Sequence, residues 1–151
     1  MGLKIYLPTA IAMFLAATIG SDVVARMSIA GEAFGAALQE HLYYARVQFI
    51  GTILLLAPFA AVAFLSARAD RQARSRSVAL IFAVAMATLL YFYFRGYQGA
   101  QYALAEKKWT AAALSVGLLP LFIGPAVVLA SLGASALAMR FDRRMPDQMS
   151  N

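Results

Sequence analysis

The chain has no cysteine, which excludes disulfides, thiolate metal sites and cysteine nucleophiles. It has a single histidine, so a bis-histidine haem of the cytochrome b type cannot be assembled within one chain. Charge is scarce as well. Asp, Glu, Lys and Arg make up 13% of the 151 residues, against roughly 25% in an average soluble domain. With 62% hydrophobic residues and a mean hydropathy of +0.71, the apolar surface is too extensive for a water-soluble core of this size, and lipid must solvate part of it. The formal net charge of +6 is carried by short basic clusters between apolar runs. That is the pattern of membrane-flanking loops, and no nucleic-acid partner is expected.

What the chain does have is long uncharged stretches. Residues 110–139 contain no Asp, Glu, Lys or Arg. As a continuous helix they would extend about 45 Å, against a hydrocarbon core of roughly 30 Å. Such a segment must tilt or kink, and Pro120 and Pro125 supply the kink by removing backbone donors. Further spans are expected at about 5–24, 47–67 and 77–94. Lys4 followed by an apolar run also describes a secretory signal peptide, but no small-x-small cleavage pattern closes it, and an uncleaved first helix is the better reading. Between the first two spans, residues 27–46 are mixed: Glu32, Gln39 and Arg46 recur every seven residues, with Phe34, Leu38 and Leu42 about a third of a turn away. This is an amphipathic pattern outside the hydrocarbon.

The expectation is an all-α polytopic membrane protein, a four-transmembrane-helix bundle with an amphipathic outer helix between spans 1 and 2. One membrane domain would cover residues 1–144, and the polar tail 145–151 is expected to be disordered. Lys4, Arg68, Arg71, Arg74, Arg76, Arg140, Arg143 and Arg144 fall on one side; Arg26, Arg46, Arg95, Lys107 and Lys108 fall on the other. This bias places both termini in the cytoplasm and the protein in the inner (cytoplasmic) membrane. Small residues recur at helical spacing: Ala12, Ala16 and Gly20; Ala79, Ala83 and Ala87; Ala126, Ala130, Ala134 and Ala138, with Ser131 and Ser135 on an adjacent ridge. These ridges are expected to pack the helices together, and any left over would meet a copy or a partner.

No ionisable residue is expected inside a span, which disfavours charge-coupled transport. Neither the first-helix glutamate of small multidrug exporters nor the Arg, Asn and Glu cluster of membrane glutathione transferases is present. Asp22 and Arg26, four apart, form a favourable pair if the first helix continues. The other polar groups fall on two outer loops, the second running from Gly96 to Lys108, and these would form an aromatic-rimmed cap if they pack together. Candidate binding residues there are Glu40, His41, Arg46, Tyr93, Arg95, Tyr97 and Gln98. Glu40 and His41 could serve as an acid/base pair and Arg46 or Arg95 could hold a lipid phosphate, although neighbours on a helix do not face one another. Interfacial anchoring with a solvated histidine is the simpler reading. Within the bilayer, the Pro120, Gly124 and Pro125 break either exposes carbonyls to a solute or is a kink made for packing.

No catalytic constellation, cofactor motif or metal-ligand set follows from these residues. The expected role is therefore a non-catalytic accessory or scaffold subunit of a membrane complex, or a homo-oligomer, with the bilayer and other membrane subunits or itself as partners. The alternative is a passive channel or transporter for a small neutral or organic solute through the fourth-span break. A third reading, a lipid-active enzyme, would use His41 and the outer arginines.

Overall fold

The computed structural model describes residues 2–73 and 76–144. The expected tail at 145–151 and Arg74 lie outside the described residues. Five helices account for almost all of the rest: α1 (Leu3–Ala30), α2 (Phe34–Val47), α3 (Phe49–Ala73), α4 (Arg76–Ala105) and α5 (Trp109–Arg140). Four of them, all but α2, are long and apolar enough to cross a bilayer. Large apolar side chains such as Leu80, Phe122 and Leu129 point away from the bundle, as bilayer hydrocarbon requires of its neighbours. The protein is a multi-pass membrane protein of all-α class.

The α3 and α4 helices form the central pair, and α1 and α5 each lie against both. The core combines rings with alanines. Tyr6, Ala10, Phe14 and Ala17 of α1 meet Phe59, Val62 and Ala63 of α3 and Phe82, Met86, Leu89 and Tyr93 of α4. Tyr6 sits edge-on to Phe82 at 4.8 Å, and Phe59 sits edge-on to both Phe14 at 5.7 Å and Tyr93 at 5.1 Å. Edge-to-face packing satisfies the ring quadrupoles. Pro58 loosens its turn of α3, and the neighbouring carbonyl of Leu55 accepts a hydrogen bond from the Tyr93 hydroxyl at 2.7 Å.

Several local expectations give way. The first helix does not end near residue 24: nothing between Ser21 and Ala30 breaks it, and it stops at Gly31, whose φ of +71° is left-handed. It contains two wide π turns, Ala16–Gly20 and Arg26–Ala30. Residues 96–105, read as part of a polar loop, continue α4 as helix. The connection to α5 is only a tight turn at residues 106–108, where Lys107 takes a positive φ of 60°. Lys108 donates to Glu106 at 2.6 Å; the bond holds the Glu106 carboxyl below its ordinary range and raises the Lys108 ammonium. In α2 the bundle-facing positions are Ala37 and His41, whereas Phe34 and Leu42 are exposed.

Most of the small-residue ridges also turn outward, with Ala79, Ala134 and Ala138 half-buried. Ala12, Ala16 and Gly20 are exposed, as are Ala83, Ala87, Ala126 and Ala130. In the last span Ser131 and Ser135 are buried instead. The Pro120 break is a π turn, Leu119–Ile123, whose end brings α5 onto α3: a Cβ added at Gly124 would lie 2.4 Å from Pro58 Cγ. This close approach has one direct consequence. Gly124→Ala is expected to lower the apparent Tm in detergent, an overpacking cost of about 1–3 kcal/mol. Gly133→Ala, where an added Cβ meets nothing within 4 Å, should leave it unchanged.

Candidate functional site

The two π turns bracket a single turn of regular helix, Ser21–Ala25, and π turns in α-helices concentrate at functional sites. Here the turn carries Asp22 into the bundle, where it is 5% exposed. A carboxylate accepts hydrogen bonds only, and at such burial every acceptor needs a donor. Asp22 has three donors from three helices. Its Oδ2 accepts from Arg26 Nε at 3.1 Å and lies 2.9 Å from His41 Nδ1; its Oδ1 accepts from Gln101 Nε2 at 3.2 Å. The proton between Asp22 and His41 must therefore sit on Nδ1.

Arg26 extends the network. Its Nη1 donates to Glu40 and reaches Glu32 Oε1 at 3.4 Å, and the Tyr44 ring lies beneath its guanidinium at 5.9 Å, within cation–π range. The Arg26 side chain is 10% exposed and that of Glu40 is 51% exposed, so the cluster grades from a dry hub to a wet rim. Asp22 and Arg26 thus belong to the same long helix as the first span, Arg26 lying beyond residue 24, where that span was expected to end, and Asp70 is buried near the opposite end of the bundle. Partners compensate the desolvation of Asp22 and Arg26.

Beside this network lies a cavity of about 900 Å³. The α3 and α5 helices converge at Pro58 and Gly124; toward Phe49 and Trp109 the space between them opens. Asp22, Arg26, Glu32, Glu40 and His41 form a charged wall, with Tyr44, Tyr97 and Gln101 beside it. The remaining lining is mostly apolar: Phe14, Leu54, Leu55, Leu104, Ala112, Val116 and Pro120 among others. Phe14 joins this lining to the core, where its ring packs on Phe59 and Phe59 on Tyr93. Among the described residues, no group of three or more His, Asp or Glu is placed to hold a metal ion.

The structure sorts the expected site residues. Glu40, His41 and Tyr97 line the cavity, and the His41 and Tyr97 rings lie 6.3 Å apart. Tyr93 is fully buried beneath it, whereas Arg46 and Arg95 are exposed and Gln98 is half-buried, none of the three in the lining. Of the fourth-span break, Pro120 reaches the cavity, Gly124 is committed to Pro58, and Pro125 is exposed. Asp22, Arg26, Glu32 and Gln101, the hub of the arrangement, were not among the expected site residues. Their signal was the four-residue spacing of Asp22 and Arg26 in a stretch with no helix breaker.

No family model, curated protein or solved structure matches the chain. Geometry alone therefore carries the functional reading. The hub and the rim should differ in stability. Asp22→Ala deprives three buried donors of their acceptor and is expected to cost about 3–5 kcal/mol. Glu40→Ala, at the wet rim, should cost about 1 kcal/mol or less. Thermal unfolding in one detergent checks this, and equal losses would contradict it.

Proposed function

We propose that this protein is a non-catalytic binding protein of the inner membrane, and that its cavity holds one small amphipathic organic molecule taken from the bilayer. The observation that carries this reading is the cavity of about 900 Å³, with a charged wall on one side and apolar walls elsewhere. Ligand sites of roughly 300–1,000 Å³ with a few convergent polar groups are the common form of small-molecule pockets. A polar head would meet the Asp22 network, and an acyl or ring portion would lie along Leu54, Leu55 and Val116. On the orientation favoured by the basic residues, the mouth faces away from the cytoplasm. The ring cluster supports binding over free passage: a solute leaving the cavity inward past Phe14 would have to part Phe14, Phe59 and Tyr93.

Gly117 lines the cavity, and a Cβ added there meets nothing within 4 Å. Gly117→Phe should therefore take up part of the cavity and narrow it for an occupant without disturbing the fold. Native mass spectrometry after detergent exchange is expected to find about one retained amphiphile per chain in the wild type and none in the variant. Equal retention would remove the reading.

A second reading, an accessory subunit or homo-oligomer, is favoured by the outward ridges at Ala12, Ala16 and Gly20 and at Ala126, Ala130 and Gly133. Exposed small residues allow close helix approach in lipid. Co-purification in mild detergent should then recover an assembly, and a strictly monomeric particle without a partner would count against it.

A further inference from the structure

We infer that the occupant of the cavity carries a cationic head, an ammonium on an apolar chain. The inference rests on the binding role proposed above and deepens it. Its basis is charge. The wall presents three carboxylates, Asp22, Glu32 and Glu40, against one guanidinium, Arg26, so its formal charge is negative whether or not His41 is protonated.

The arrangement of the partners decides which charge is accessible. Arg26 is wrapped by all three carboxylates and is 8% exposed. A phosphate or carboxylate head could reach it only by displacing Glu40 and bringing a further anion among three. Two of the carboxylates are open to a ligand: the Glu32 side chain is 28% exposed and that of Glu40 is 51% exposed, and both line the cavity. An ammonium entering there completes the charge of the wall rather than opposing it. Because Glu40 lies at the wet rim, that complementarity is screened by salt and strengthens as ionic strength falls. Trp109 at the mouth adds an aromatic face of the kind that attracts an organic cation.

Trp109 is the only tryptophan in the chain and lines the cavity while remaining largely exposed, so the quenching that saturates above the bilayer background reports on the cavity. The full chain is placed in bilayer discs of zwitterionic phosphatidylcholine and titrated with one brominated twelve-carbon chain bearing a trimethylammonium, a phosphate or a hydroxyl head. The expected result is saturable quenching with the ammonium bound most tightly, and a roughly tenfold loss of that affinity in the double variant Glu32→Gln, Glu40→Gln. The wild-type order of the three heads can be read even if the double variant fails to fold. Equal affinities, or tighter binding of the phosphate, would overturn the cationic head and leave the cavity as a binding site. If no head quenches saturably, or if Gly117→Phe quenches as the wild type does, the binding role itself fails and the cationic head with it.

Discussion

A buried carboxylate inside an apolar bundle is the constraint around which this end of the molecule is built. Asp22 cannot remain charged and dry without donors, and the three it has come from three separate elements: Arg26 on its own helix, His41 on α2 and Gln101 on α4. Satisfying one side chain thus helps fix the position of the α2 helix, in which Ala37 and His41 are the buried residues. Two π turns set the angle at which Asp22 enters, and the left-handed Gly31 sends the chain back over it.

The cavity follows from the same arrangement. Because α2 is tied to α1 and α4 through the ion network, the start of α3 is held where α2 delivers it. The α3 and α5 helices close only further along, where Gly124 admits the Pro58 ring. The space left between these two constraints is walled by charge on one side and by aliphatic residues on the other. From Phe14 in the lining, a chain of three edge-on rings runs into the core and is anchored by the Tyr93 hydroxyl on the Leu55 carbonyl. Fold and site therefore share residues, and Phe14 serves in both the core and the lining.

The four crossings were legible in the sequence because long uncharged runs have few other physical explanations. The ends of the crossings were not. Ending the first span at about residue 24 cut the first helix short, although the absence of Gly or Pro between Ser21 and Ala30 argued for continuation. The tyrosines and glutamines of residues 96–105 read as loop, yet they lie on an α4 that continues past the aromatic belt, and Gln101 faces the bundle from there. Ridge direction was illegible for a different reason. In α1 one small-residue spacing runs through Ala12, Ala16 and Gly20, while another face carries Tyr6, Ala10, Phe14 and Ala17; the rings, rather than the alanines, decide which face turns inward. Of the expected site residues, Glu40, His41 and Tyr97, chosen for their polarity near the bundle mouth, lie in the cavity lining. The cavity itself depends on helix divergence, which no local pattern encodes.

The central claim is that the Asp22 carboxylate and the His41 imidazole act as one unit across α1 and α2. A double-mutant cycle between Asp22→Asn and His41→Phe, read by thermal unfolding of the full chain in a single detergent, isolates that interaction. A coupling of about 1–3 kcal/mol is expected for a buried, charge-assisted contact of this kind. Additive losses, with no coupling beyond experimental error, would contradict the account.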